Sequence, residues 1–321
     1  MLKLVILGSI GLDDIETPVD SGSDLLGGAA AHAGIAAGFH LPVTPQSSPE
    51  IGLVSAVGTD FPSDAQTTLE NSGLNLAGVI RKDGSTFRWS GRYEGSMDDV
   101  TTISTEVNVL EDHIPEIPAF WKNPEVLFCA NTHPRSQVAV LDQCPGAVIT
   151  ALDSFMLWIE TEFELLSEAL RKVDLAILNE EEVCAIAGDD LVHNAAAKIS
   201  SGEALYGGIA AGPGPRGVIV KRGRSGSVAY LDCGIITLPA YPTDELVDPT
   251  GAGDSFAGGL LSNIAGRKGA LNQRDTMRDA LLHATVTASF SVEGLGVSGV
   301  SNLERGRYHA RVDKYRRMVG L

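Results

Sequence analysis

The chain has 321 residues, 44% hydrophobic and 20% charged. That suits one large or two modest globular domains with a sizeable core and excludes a disordered chain. A formal net charge of −17 argues against a nucleic-acid-binding surface, which needs a basic stripe.

No stretch is long and apolar enough to span a bilayer, so no membrane partner is expected. The opening run Met1–Gly8 lacks the length and flanks of a signal peptide and reads as a buried strand. The expected location is cytoplasmic. Cys129, Cys144, Cys184 and Cys233 form no CxxC pair and read as free thiols. A basic group near the C-terminus (Arg305, Arg307, Arg311, Lys314, Arg316, Arg317) reads as a solvated helix face, with a contact surface as the alternative.

Strand and helix signals then alternate. Leu4–Leu7 is an apolar run, Gly28–Gly38 a small-residue helix, Ile51–Val57 a strand ending at Val57-Gly58-Thr59-Asp60, and Ala65–Ser72 a helix stopped by Asn71-Ser72-Gly73. Thr86–Glu94 differs. Phe87, Trp89, Gly91 and Tyr93 share one parity, and Arg88, Ser90, Arg92 and Glu94 the other. Strict alternation predicts a half-exposed antiparallel strand, with its return near Thr101–Asn108.

Strands follow at Val126–Ala130, ending at Asn131, and at Ala147–Leu152, ending at Asp153. Thr161–Glu164 has the spacing of a capping box before a helix with Phe163, Leu166, Leu170 and Val173 on one face. Leu175–Leu178 is a strand ending at Asn179, with a helix from Glu180. Gly207–Gly217 is a loop, Val218–Lys221 and Ser227–Leu231 are paired strands around the turn Gly223–Gly226, and helices lie near Arg274–Ser289 and Asn302–Met318. Repeated strand–helix units predict an α/β fold with a mostly parallel sheet covered on both faces. Ligands on such sheets bind beyond the carboxyl ends of the strands. Asp13, Asn131, Asp153, Asn179 and the turn Gly251–Asp254 all fall at that edge.

That turn, Asp248-Pro249-Thr250-Gly251-Ala252-Gly253-Asp254, runs into an amphipathic segment carrying Phe256, Leu260, Leu261 and Ile264. Unpaired amides at the start of a helix make an anion site. Asp254 beside it reads either as a base facing a second substrate or as an ordinary cap. No GxxxxGK[ST], GxGxxG after the first strand, GxSxG or HExxH is present, which disfavours P-loop, dinucleotide, serine-hydrolase and zincin chemistry. An anion cradle beside a carboxylate suits phosphoryl transfer to a hydroxyl. Asn179-Glu180-Glu181-Glu182 suits either hydrated magnesium over ATP phosphates or a helix cap with first-turn acids.

On these residues the sequence resembles the ribokinase/PfkB carbohydrate kinases. Val247–Gly259 matches that family's C-terminal signature, Asn179 and Glu182 its NxxE pattern, and Gly27-Gly28 its N-terminal diglycine. Gly8–Asp13 resembles the opening strand, and Val57–Asp60 and Lys221–Gly226 two further family segments. The resemblance implies a three-layer ribokinase-like sandwich over 1–321, one kinase domain with a small β lid from segments near 12–26 and 84–108. It implies ATP and Mg2+ as cofactors and transfer to a small carbohydrate. A nucleoside acceptor or a non-catalytic ligand sensor are the alternatives.

Asp254 is implied as base and Gly251, Ala252 and Gly253 as anion hole. Asn179, Glu182, Lys221, Gly223, Gly226, Thr250 and Thr285 are implied on the nucleotide side, with Glu182 reaching magnesium through water. Asp13, Gly27, Gly28, His32, Phe87, Trp89 and Asn131 are implied on the acceptor side. Asp248 and Thr250 correspond to positions that help hold a monovalent cation, here K+. His32 stands where the family has an acceptor-binding Asn, and Ala29 where ribokinase carries Lys. Three readings of the lid stay open: Phe87, Trp89 and Tyr93 stacking on a base or sugar, Arg88 and Arg92 meeting an acceptor phosphate, or a homodimer contact.

Overall fold

The computed structural model describes residues 2–44 and 47–321; Met1, where the reading of the opening strand begins, lies outside them. The first half runs β1 (Leu4–Leu7), β2 (Gly11–Glu16), β3 (Ser21–Gly27), α1 (Ala29–His40), β4 (Ile51–Val57), α2 (Ser63–Asn71), β5 (Leu74–Arg81), β6 (Phe87–Tyr93), β7 (Val100–Glu106), β8 (Val126–Cys129), α3 (Pro134–Gln143) and β9 (Ile149–Leu152). The second runs α4 (Met156–Thr161), α5 (Phe163–Arg171), β10 (Leu175–Asn179), α6 (Glu180–Ala187), α7 (Val192–Ser201), β11 (Gly217–Lys221), β12 (Ser227–Leu231), β13 (Gly234–Leu238), α8 (Ala252–Ile264), α9 (Arg274–Ser291), α10 (Ser298–Ser301) and α11 (Arg305–Met318).

Nine strands form one sheet in the order β13-β12-β11-β10-β9-β8-β1-β4-β5. Its pairs are parallel except where β12 and β13 turn back at one edge. β1 shows why the sheet is buried on both faces: Leu4 and Ile6 enter one core, Val5 and Leu7 the other. Ala33, Leu260, Leu281 and Tyr308, from α1, α8, α9 and α11, cover the first face. Val140, Leu170, Val183 and Ile199, from α3, α5, α6 and α7, cover the second. Small residues set the contact between α1 and α8, where a methyl on Gly258 would strike the Ala33 carbonyl.

The C-terminal basic group is not simply a solvated face. Arg305 lies 4.5 Å from the Phe39 ring centroid, Arg311 reaches Glu293 at 2.7 Å and the Phe290 ring at 3.5 Å, and Arg316 reaches Asp279 at 2.5 Å. These contacts tie α11 to α1 and α9.

A second sheet has the order β3-β2-β6-β7. The strand expected at Thr86–Glu94 is β6, and it is not purely antiparallel. It pairs antiparallel with β7 but parallel with β2, so it is an inner strand of a mixed sheet. One face of this sheet packs in a small cluster with Ile15, Tyr93 and Met97, while Leu12 and Leu26 on the other face join the main core. β7 is exposed along its whole length.

Two local readings are corrected. Thr161–Glu164 forms no capping box: Thr161 ends α4 with its hydroxyl on the Leu157 carbonyl, and Glu162 precedes α5 without a side-chain cap. A capping box does form at Asn179 and Glu182. The strand β13 has no counterpart in the sequence reading, because only Ile236 and Leu238 of its five residues are buried.

Candidate active site

The turn before α8 places a glycine in the left-handed region, Gly251 at φ 71, as the N-cap of the helix. The cap makes no side-chain hydrogen bond, and Asp254 stands in the first turn instead of at the cap. The carboxylate is therefore not used to terminate the helix. Behind the turn lies His32, which is 3% exposed. A methyl on Gly251 would overlap its imidazole ring. Burial pushes His32 down to about 4, so it is neutral, and its Nε2 has no hydrogen-bond partner.

Four charged side chains from four elements meet beside this turn. Asp153 follows β9, Glu182 stands on the first turn of α6, Lys221 ends β11 and Asp254 opens α8. Lys221 Nζ bonds Asp153 Oδ2, while Asp153 Oδ1 accepts the Ser154 amide at 2.9 Å. Burial, then the Asp153 charge, pushes Asp254 up to about 7, with Lys221 opposing. Asp254 itself is half-buried. Burial and Asp153 likewise push Glu182 up to about 8. Burial pulls the Lys221 ammonium down, but Asp153, Glu182 and Asp254 together hold it above its ordinary value.

Asp13 lies on β2 and is 3% exposed, with its Oδ1 unpartnered. Burial, then the charges of Asp248 and Asp254, pushes it up to about 7, with the Gly28 amide opposing. Gly27 leaves room for this carboxylate, because a methyl there would overlap Asp13 Oδ2. Asp248 is fully buried, and its two oxygens accept the amides of Thr250 and Gly296, each at 2.8 Å. Thr250 in turn shares a hydrogen bond of 3.0 Å with Tyr93 of β6, which ties the second sheet to the turn.

Other candidates are placed less directly. Asn131 Oδ1 accepts the Trp158 indole N–H at 2.9 Å. Thr285 donates to the Leu281 carbonyl of its own helix at 2.9 Å. Gly223 and Gly226 flank the β11–β12 turn, where Arg222 forks onto Glu180 and Arg224 reaches the Ser96 carbonyl at 3.1 Å. Phe87 packs on Gly11, and Trp89 lies over Gly91. Arg88 and Arg92 are already engaged, with Asp24 at 2.5 Å and Glu16 at 2.8 Å.

The acidic run after Asn179 serves as a helix start. Glu182 Oε2 accepts the Asn179 amide and Glu180 pairs with Arg222. Among the described residues no group of three or more His, Cys, Asp or Glu can hold a metal ion. The sequence placed Asp153 only at the strand-end rim and Tyr93 only in the lid, without the partners that bring them to the turn. Asp153 was legible only as a strand-end carboxylate, since its partner Lys221 is 68 residues away.

The three raised carboxylates carry a stability consequence. Unfolded, Asp13, Glu182 and Asp254 lose their protons near about pH 4; folded, they keep them to about 7, 8 and 7. Their contribution to stability is full at low pH and is lost as pH rises through those folded values. The ligand-free protein should therefore melt at a lower temperature at about pH 8.5 than at about pH 6.5, a window in which His32 and His40 add little. Thermal unfolding at the two pH values checks this, and a flat or rising melting temperature contradicts it.

A mostly parallel sheet with this late turn at its carboxyl edge is the ribokinase-like kinase architecture. The chain belongs to the pfkB family of carbohydrate kinases, whose model matches residues 26–303. It is similar to a cytidine kinase of Thermococcus kodakarensis, 31% identical over 273 residues covering 83% of this chain and 89% of that protein. In fold it resembles a Vibrio cholerae fructokinase double mutant crystallised with fructose, ADP and potassium (TM-score 0.77, 18% identity, 96% and 98% covered). It also resembles a Burkholderia thailandensis nucleoside kinase in complex with inosine (TM-score 0.74, 16% identity, 97% and 98% covered). The protein is thus a phosphotransferase acting on a small carbohydrate or nucleoside.

Proposed function

We propose that the enzyme transfers the γ-phosphoryl group of ATP to a sugar hydroxyl of an uncharged nucleoside. The observation that carries the reaction is Asp254, half-buried and not used as a cap, standing in the first turn of α8 beside the amides of the Gly251–Gly253 turn. The acceptor oxygen bonds to the γ-phosphorus, the bond from that phosphorus to the β–γ bridging oxygen breaks, and the hydroxyl proton passes to Asp254. The amides hold the charge of the moving group.

On the acceptor side, the free oxygen of Asp13 faces the same region as Asp254 and suits a sugar hydroxyl. Gly27, Gly28, His32 and Asn131 line that side, and the second sheet closes over it as a lid, with Phe87 and Trp89 for a flat ring. An acceptor phosphate finds no free arginine in β6, since Arg88 and Arg92 are paired with lid carboxylates. The similarity to a cytidine kinase favours a nucleoside over a free sugar. Lys221, Gly223, Gly226, Thr250 and Thr285 lie on the nucleotide side.

The donor set fits a magnesium that arrives on the nucleotide phosphates and meets Glu182 and Asn179 through water, because Glu182 has one oxygen engaged in the capping box. When bound it would neutralise phosphate charge. Asp248 keeps a lone pair on each oxygen for a monovalent cation such as K+.

The test is ADP release with ATP and magnesium across nucleosides, pentoses, hexoses and sugar phosphates. Nucleosides should give the highest kcat/KM and sugar phosphates none. A sugar phosphate as best acceptor would overturn the reading of Arg88 and Arg92.

A further inference from the structure

We propose that Lys221 is a catalytic residue: its ammonium leaves Asp153 for the oxygens of the transferring phosphoryl group as that group lies on the Gly251–Gly253 amides. The proposal rests on the phosphoryl-transfer reading above. It concerns which cation of this chain meets the moving charge.

The geometry is specific. Lys221 ends β11 in register with Asn179 of β10, at the carboxyl edge of the sheet. A methyl on Gly253 would lie 3.1 Å from Lys221 Nζ, so the ammonium sits against the turn itself. The two other cations of this segment point elsewhere: Arg222 is forked onto Glu180, and Arg224 is held by Asp98 and the Ser96 carbonyl.

The charge balance needs this cation. Asp153, Glu182 and Asp254 put three carboxyl groups beside the turn that must receive a polyanion, and Lys221 is the cation they share. A buried ammonium with no partner sheds its proton. Asp153 therefore acts as a positioning residue that keeps Lys221 charged before the nucleotide arrives. A lysine ammonium on a flexible four-carbon stem can then move to a phosphate without backbone change. During transfer the phosphorus–oxygen bond to ADP breaks as the bond to the acceptor oxygen forms, and the acceptor proton goes to Asp254. Lys221 keeps all its protons and donates hydrogen bonds to the equatorial oxygens, where the transition-state charge is spread.

The competing reading is a buried ion pair that only holds β9 and β11 together. Lys221→Met and the charge-balanced double variant Asp153→Asn/Lys221→Met separate the two. The readouts are kcat, melting temperature, and the affinities for ADP and for an ATP analogue with a β–γ imido bridge. We expect kcat to fall by about 10²–10³ in both variants. The preference for the imido analogue over ADP should fall about tenfold while ADP affinity stays within about twofold, since only the analogue carries a γ-phosphoryl group. Turnover restored in the double variant, or an unchanged analogue-to-ADP ratio, overturns the proposal. If Lys221→Met does not fold, the double variant supplies the same readouts. A parent enzyme that binds the analogue yet phosphorylates no acceptor would sink the transfer reading, while the ratio would still report whether Lys221 meets the γ-phosphoryl group.

Discussion

Asp254→Asn lowers turnover by about two to four decades while ADP binding stays near that of the parent. The side chain keeps its shape but can no longer take the acceptor proton. The same change should raise the melting temperature at alkaline pH. Ionised Asp254 stands beside Asp153 in a buried cluster, which is why its pKa is pushed up to about 7. A neutral amide removes that repulsion. Lost activity with gained stability is a signature misfolding cannot produce. In the parent, kcat/KM should rise with pH and level off above about 7, the pH at which the free-enzyme base loses its proton. Near-normal turnover in the variant would remove Asp254 from the reaction.

Gly251→Ala should cost both stability and rate. The residue sits at φ 71, where a side chain is strained, and its added methyl would overlap the buried imidazole of His32. We expect a loss of about 1–3 kcal/mol in unfolding free energy. Turnover should fall by about 10²–10³ as the Gly251–Gly253 amides are turned away from the phosphoryl group. Adding His32→Ala removes the clash but not the strain at positive φ, so it should recover only part of the melting temperature. Denaturant unfolding and initial rates measure the two effects. A single variant with parental kinetics would mean that the turn is not the anion hole.

The sheet was legible because its strands carry their own signal. Leu4–Leu7, Ile51–Val57 and Val126–Cys129 are short apolar runs, as strands buried on both faces must be. Helix starts were less legible. Thr161 and Glu164 have capping-box spacing, but a short helix already ends at Thr161, so tertiary context assigned its hydroxyl elsewhere. β13 escaped because half-exposed edge strands lack an apolar run.

In the site, the turn at Gly251–Asp254 was visible as local pattern, including its ambiguity between cap and base. The Lys221–Asp153 pair and the Tyr93–Thr250 bond were not, since they join residues far apart in the chain and no spacing rule reaches them. The partners of Arg88 and Arg92 were likewise out of reach, and an acceptor phosphate stayed one of three open readings. Alternation placed the two arginines on one face but could not show that Asp24 and Glu16 already hold them.

The most direct test of the whole account is a product analysis. Purified protein is incubated with ATP, magnesium and cytidine or another nucleoside, and the phosphorus species are quantified by 31P NMR. The account predicts one nucleoside monophosphate formed for each ADP, with the phosphate on a ribose hydroxyl. ADP appearing with free inorganic phosphate and no phosphorylated nucleoside, or no turnover with nucleosides while parallel incubations with sugars give sugar phosphate and ADP, would contradict it.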